Sequence, residues 1–364
     1  MTHDELPPGK RVFILGAGFS KPAGMPLATD LLPLVAAKVE LDEMQEWLNG
    51  LRERLGWLAQ QDHERHEFNI EEVFHYAYFD AELFRLKQHL ARVGRSDGPG
   101  TPWNTAEAIT AWLADLEEAL RDVILEYDNK SNLAPITRWA ETVNSGDTIL
   151  TFNYDRLVER ALTSVDKSWN HATARENDTG IPICKLHGSI DWIVAHRSES
   201  FEKLDLLFEK ENLNRLEQNT GHVEDDCRLW RCRTRDQLQT WISGRELQLI
   251  PEHAGPRTVG IAGLGAYKEL YKIPGLGRVW ATGMRALHNA DVAIVVGFAL
   301  SDFDAMAQMQ FAEVARKRQS DSRPLPVIVV NPSAGEITKD RFRRVFRFVD
   351  FVSDSHETVD WNLY

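Results

Sequence analysis

Cysteine is scarce: the 364 residues hold three thiols, Cys184, Cys227 and Cys232. Three thiols cannot close a paired disulfide framework or fill a four-thiolate zinc site, so a reducing interior is the expected setting and the cytoplasm the expected compartment. Long apolar runs are missing too. Val292 to Leu300, one of the best, is far shorter than a membrane span, and the opening "MTHDELPPGK" has no basic segment leading into an apolar one. Neither a signal peptide nor an anchor is expected. Positive charge is in deficit, 42 lysines and arginines against 55 aspartates and glutamates, for a net charge of −13. That balance disfavours nonspecific attraction to nucleic acid or anionic lipid while permitting a local basic pocket. A small-molecule or protein partner is favoured over DNA or a membrane.

What is present suits a sizeable core: 43% of the residues are hydrophobic. Five short runs, "RVFIL", "DTILTF", "ICKLH", "VAIVVGF" and "PVIVVN", are strand-length, rich in β-branched residues and bounded by turn or polar residues. They predict an α/β fold, a Rossmann-like parallel sheet flanked by helices. Three of them end in small or polar clusters (Gly16 to Ser20, Asn153 to Asp155, Asn331 to Ser333), as expected where ligands gather at the carboxyl ends of parallel strands. The organisation expected is one domain over residues 1–364 with two insertions. The first, 31–140, reads as mostly helical: Ile109, Trp112, Leu113, Leu116, Leu120, Val123 and Ile124 follow helical spacing, Asn104 and Glu107 suggest a capping box, and Val93 to Pro102 reads as a loop. The second, 201–248, is polar and charge-rich, and its pattern specifies no element.

Several clusters can carry chemistry. Gly16-Ala17-Gly18-Phe19-Ser20 follows the first run, and a Gly-x-Gly turn there lets backbone approach a pyrophosphate, with amides of the next helix facing its charge. A tight turn without ligand would use the same glycines. The dehydrogenase fingerprint also asks for a third small residue, where Lys21 stands, and for an acidic residue closing a second strand, where the chain instead runs into helix. Hydride transfer is therefore disfavoured. In "TFNYDRL", Thr151, Asn153 and Asp155 end the second run. The amide can hold a water or hydroxyl and the carboxylate can orient it, or either residue can cap the helix "RLVERAL". His187 in "CKLHGSID" ends a buried run, with Gly188 freeing the backbone behind it, and is a candidate general base, although any one of 12 histidines can be structural. Gly297 and Asn331 end the last two runs and suit the adenosine half of a nucleotide or simple turns. Asp302 and Asp304 read as caps of the helix "AMAQMQFAEVARK". No metal is expected, because His222, Cys227 and Cys232 match no familiar zinc spacing. "RFRRVFRF", Arg341 to Phe348, interleaves arginine and phenylalanine as nucleic-acid platforms do, but in an acidic chain it reads better as a helix or edge strand with one apolar face.

In this order the motifs resemble the sirtuin-like family, named for the silent information regulator proteins. "GAGFSKPAGMP" resembles the family's Gly-Ala-Gly-x-Ser loop with its following Gly-x-Pro, "TFNYD" the Thr-x-Asn-x-Asp segment, "KLHGS" the segment bearing the catalytic histidine, and "GFALSDFD" the late glycine loop. The resemblance implies NAD as the bound dinucleotide. Gly16, Ala17, Gly18 and Ser20, with Phe19 between them, would serve its pyrophosphate and ribose. Asn153, Asp155 and His187, with Thr151 beside them, would surround the nicotinamide ribose, and Gly297 and Asn331 the adenosine. Two departures matter. Protein-deacetylating sirtuins carry two Cys-x-x-Cys pairs that fold a zinc module and help form the peptide groove, and this chain has none; their Gly-x-Pro continues as Asp-Phe-Arg-Ser, whereas Pro26 is followed by "LATDLL". With the cofactor machinery kept and the peptide machinery absent, the chain resembles the bacterial branch that hydrolyses NAD as an effector of antiphage defence. That likeness implies a gated NAD glycohydrolase that assembles as a homo-oligomer or answers to a partner, such as an ATPase or a phage-derived trigger. The alternatives left open are an NAD or ADP-ribose sensor or scaffold without turnover, and a protein ADP-ribosyltransferase or deacylase.

Overall fold

A computed structural model describes residues 10–39, 46–54, 68–92, 106–172, 179–196, 216–219, 227–232, 257–261, 275–354 and 358–359, together with Ile273 and Trp361. The strands in chain order are β1 (Arg11–Leu15), β2 (Thr148–Thr151), β3 (Trp169–His171), β4 (Ile181–Lys185), β5 (Gly188–His196), β6 (Leu216–Asn219), β7 (Cys227–Cys232), β8 (Arg257–Ile261), β9 (Val292–Val296), β10 (Pro326–Val330) and β11 (Phe348–Val352). Seven of them make an all-parallel sheet in the order β11-β10-β9-β1-β2-β4-β3. β5 to β8 make a separate antiparallel sheet in the order β6-β7-β5-β8. The Rossmann-like α/β class predicted from the apolar runs is the one observed.

The helices are α1 (Ala17–Ser20), α2 (Ala28–Ala36), α3 (Ile70–Arg92), α4 (Ala106–Lys130), α5 (Ala134–Thr142), α6 (Leu157–Ser164), α7 (Leu276–Asn289), α8 (Ala305–Ser320) and α9 (Glu336–Val345). Successive residues of each strand bury on opposite faces of the sheet. Phe13, Leu15, Ile149, Ile183, Ile294 and Val330 join a core with α2 to α6, while Val12, Ile14, Leu150, Cys184, Val295 and Val329 join a second core with α7, α8 and α9. Both faces being covered is why the central strands read as unbroken apolar runs. Each fully buried Leu, Ile or Phe contributes about 1.5–3 kcal/mol of transfer free energy to this two-sided core.

The described part of the 31–140 insertion is helical, including a stretch at 46–54. Its α3 opens with a reciprocal capping box in which the Asn69 amide donates to Glu72 Oε2 and the Glu72 amide to Asn69 Oδ1, both at 3.0 Å. On α4, Leu113, Leu116, Leu120, Val123 and Ile124 are buried as the spacing predicts. Asn104 and the loop at 93–102 lie outside the described residues, as does most of 201–248, of which β6 and β7 are described. The run from Arg341 to Phe348 divides into the end of α9 and the first residue of the edge strand β11, with Phe342 and Phe346 buried beneath it.

Candidate functional site

From β1 the chain builds outward through β2 and β4 on one side, and from β9 through β10 and β11 on the other. Strand order therefore reverses between β1 and β9, and their carboxyl ends flank the crevice where open α/β sheets bind ligands. A cavity of about 500 Å³ occupies this place, within the size range of small-molecule sites. Of the predicted site residues, Gly16, Ala17, Gly18, Ser20, Asn153, Asp155, His187, Gly297 and Asn331 line it. Phe19 and Thr151 do not. Phe19 is fully buried with its ring edge-on to Trp139 at 4.7 Å, and Thr151 is buried with its hydroxyl accepting from the Asn153 amide at 3.1 Å. Both lie behind the wall, Phe19 on the buried side of α1 and Thr151 at the end of β2.

The two glycine loops are locked together. The Gly16 amide donates to the Val296 carbonyl at 3.1 Å, Gly18 to Gly297 at 2.9 Å, and Phe19 back to Gly16 at 2.9 Å. A Cβ on Gly297, whose φ is +61°, would lie 2.2 Å from the Phe19 nitrogen; one on Gly16 would lie 2.6 Å from the Phe298 Cα. These glycines thus permit the β1 and β9 loops to touch. These three donors face protein carbonyls, and Gly16, Ala17, Gly18 and Ser20 line the cavity.

Behind that loop, Asn153 Nδ2 donates to the Gly16 carbonyl at 2.9 Å and to Ser20 Oγ at 3.0 Å. Both amide hydrogens are then engaged, and the polar atom left to meet a ligand is Oδ1, an acceptor. Ser20 in turn hydrogen-bonds the Asp155 carboxylate. Asp155 Oδ1 also accepts from the Leu157 amide at 3.0 Å, so this residue holds the first amide of α6 while lining the cavity. Burial pushes the Asp155 carboxyl up to about 6, with Asp128 adding to the rise and Lys185 and the two hydrogen bonds opposing it. It therefore exchanges its proton close to neutral pH.

His187 sits two residues beyond β4, in a turn fixed by the Leu186 amide on the Thr151 carbonyl and by Trp280 Nε1 on the Leu186 carbonyl, each at 2.9 Å. Gly188 follows at φ +80°, the left-handed geometry that starts β5. The imidazole meets the Phe152 ring edge-on at 4.9 Å, and Phe152 stacks on Phe298 at 4.1 Å. Its Nε2 lies 3.2 Å from Asp304 Oδ1. The Tyr154 ring is 5.9 Å away, and burial followed by the nearby Asp304 and Glu71 charges pushes its phenol well above the usual range. Tyr154 is a neutral hydroxyl here.

Three wall residues escaped the sequence pattern. Glu71 arrives on α3, where its Oε2 accepts from Ser301 Oγ at 3.1 Å, and nothing local marks it. Tyr154 stood inside "TFNYD" but titrates outside the range that draws attention. Asp304 read as a cap. Around the wall the carboxylates of Glu71, Asp155 and Asp304 face a single lysine, Lys21, so the lining near His187 favours a ligand with positive charge. At the other end Asn331 forms a turn, its Oδ1 accepting from the Ser333 amide at 3.1 Å.

Among the described residues no group of three His, Cys, Asp or Glu side chains is arranged to hold a metal, and no helix is long and apolar enough to cross a membrane. His222 lies outside the described residues, and Cys227 and Cys232 are the first and last residues of β7. Cys184 is a buried thiol pushed up to about 12 by burial, which leaves it unreactive.

Fold and cavity together define a Rossmann-like α/β protein with a ligand-sized site at the switch point of its sheet. No protein-family model and no curated protein matches the chain.

Proposed function

We propose that the cavity holds NAD for cleavage and that the chain is an NAD glycohydrolase, releasing nicotinamide and ADP-ribose. The reading rests on one observation: five separate strand ends deliver to one cavity the residues that the sirtuin resemblance assigns to the dinucleotide, namely Gly16 to Gly18, Ser20, Asn153, Asp155, His187, Gly297 and Asn331. Hydride transfer is the weaker reading, since among the described residues no strand lies between β1 and β2 to carry the ribose-binding acid.

NAD supplies its own leaving group, a pyridinium already carrying positive charge, so departure from the anomeric carbon needs no acid. His187 takes the proton of the attacking water. The water oxygen bonds to the anomeric carbon, and the carbon–nitrogen electron pair leaves with nicotinamide, which becomes neutral. Asn153 Oδ1 accepts a hydrogen bond from that water or from a ribose hydroxyl. The carboxylates of Glu71, Asp155 and Asp304 favour the positive charge that builds on the sugar ring. The Phe152–Phe298 stack places an apolar surface beside His187.

The family resemblance extends the proposal to a gated effector of antiphage defence that depletes NAD after assembly or on meeting a trigger. A purified chain that is both monomeric by light scattering and fully active would end the gating proposal.

Incubation with labelled NAD tests the reading. Label recovered as free nicotinamide and ADP-ribose is the expected result. Label retained on protein would mean ADP-ribose transfer, release only with an acyl-lysine peptide would mean deacylation, and bound but intact NAD would mean a sensor.

A further inference from the structure

We infer that Asp304 is the positioning partner of His187, holding its imidazole in place and favouring the imidazolium that forms when it accepts a proton; this rests on the NAD-cleaving reading for its consequence in turnover. The sequence pattern predicts a helix cap at Asp304, and the geometry departs from it. Asp304 occupies the position before α8, yet its side chain makes no capping hydrogen bond. Its neighbours behave differently. Ser301 Oγ caps the 3₁₀ turn Asp302–Asp304 by accepting from the Phe303 amide at 3.2 Å, and exposed Asp302 pairs with Arg341. Asp304 is instead 4% exposed, and its Oδ1 stands 3.2 Å from His187 Nε2, itself on a residue 3% exposed. A buried carboxylate needs a compensating partner, and the imidazolium state of His187 is one.

The backbone is built to bring the two together. Between β9 and the turn the chain bends twice through the left-handed region, at Gly297 (φ +61°) and at Leu300 (φ +50°), and Leu300 is fully buried. Such a conformation in a leucine persists only where its surroundings over-determine it. Gln308 Nε2 supplies part of that hold by donating to the Ser301 carbonyl at 3.0 Å, as does Glu71 by accepting from the Ser301 hydroxyl. The result is a carboxylate from the β9 side of the sheet facing a histidine from the β4 side, both on the cavity wall. The other groups around His187 are the neutral Tyr154 phenol, Asp155 and Glu71 on the same wall, Lys21 at its rim, and the apolar Phe152 ring.

The test reads His187 directly. With histidine ring nitrogens isotopically labelled and the His187 signal assigned by its loss in H187Q, its titration is followed by NMR in the wild-type chain and in the isosteric D304N. The expected result is a midpoint lower in D304N by about one pH unit or more. In parallel, the acid limb of nicotinamide release moves the same way and the plateau rate falls about tenfold or more. Should D304N not fold, D304S serves for both measurements. An unchanged His187 midpoint overturns the inference, whether or not NAD is cleaved. Absence of nicotinamide release from the wild type overturns the NAD reading alone, because the NMR arm still decides whether the pair exists.

Discussion

Two histidines of this protein look alike by burial and by partner, and they differ in their access to the cavity. His171, on the edge strand β3, is 4% exposed, and His187 is 3% exposed. Each faces a carboxylate, Glu159 at 2.9 Å for His171 and Asp304 at 3.2 Å for His187. The His171 ring has both nitrogens engaged by protein, Nε2 with Glu159 and Nδ1 accepting from Trp192 Nε1 at 3.0 Å. Glu159 continues the chain to fully buried Lys185 at 3.4 Å, whose ammonium donates to the Asp155 carbonyl. His171 lies off the cavity wall and His187 lies on it. A buried histidine beside a carboxylate is thus a structural strut in one place and a candidate base in the other, and access to the cavity distinguishes them.

The contrast breaks first at the strut. Replacing Glu159 with Gln leaves Lys185 as a buried cation without its counter-charge, and should cost about 3–5 kcal/mol in chemical denaturation. Burial works to raise the Glu159 carboxyl, but Lys185 and the His171 contact outweigh it and hold the group below the usual carboxylate range. Its contribution is therefore present above the ordinary glutamate titration and is lost as pH falls through the depressed one, so the deficit of E159Q should shrink in acid. A variant as stable as wild type at pH 7 would remove the strut from the account.

The packing of the two glycine loops is tested next. Gly297→Ala forces a side chain into a left-handed position and against the Phe19 backbone, for an expected loss of about 3 kcal/mol or more in thermal or urea unfolding. If the loops instead part without penalty, the interlock is looser than the contacts imply.

At the other histidine the prediction concerns rate. His187→Ala and Asn153→Ala should each lower nicotinamide release about 100-fold or more, with a smaller loss of stability than Glu159→Gln. Wild-type turnover in both would dismiss the proposed site. His171→Gln should do the reverse, weakening the fold with a smaller effect on rate.

The smallest effect expected is a gain. Because the folded Asp155 carboxyl titrates near 6, above its unfolded range, the stability tied to its neutral form is complete in acid and lost as pH rises through about 6. Asp155→Asn should therefore be more stable than wild type by about 1–3 kcal/mol at pH 8 and indistinguishable at pH 4, with turnover reduced. Equal stability at both pH values would show that Asp155 ionises freely in the fold.

Much of the fold was legible in the residues. The five predicted runs correspond to β1, β2, β4, β9 and β10, which are buried on both faces and so carry unbroken apolar sequence. β3 and β11 were not seen because they are the sheet's edges: "WNH" has one buried residue, and "FVDFV" begins with a phenylalanine 45% exposed. The residues that line the cavity from strand ends were legible for a similar reason, since each follows a readable strand by one to five positions. Glu71 was not, because α3 reaches the sheet through tertiary packing. Asp304 was misread because an aspartate before a helix has the same sequence signature whether it caps that helix or turns away.

The order of residues decided which segments become buried strands, where the chain must turn, and which polar groups stand at strand ends, because those outcomes depend on periodicity and on neighbours a few positions away. It did not decide that Gly297 would dock against Gly18, that Asn153 would direct both amide hydrogens to the loop after β1, or that His187 would meet Asp304 while His171 met Glu159 and Trp192. Those pairings are contacts of 2.9–3.2 Å that only tertiary packing brings within range, at the switch point of the sheet for Gly297, Asn153 and His187 and at its edge strand β3 for His171.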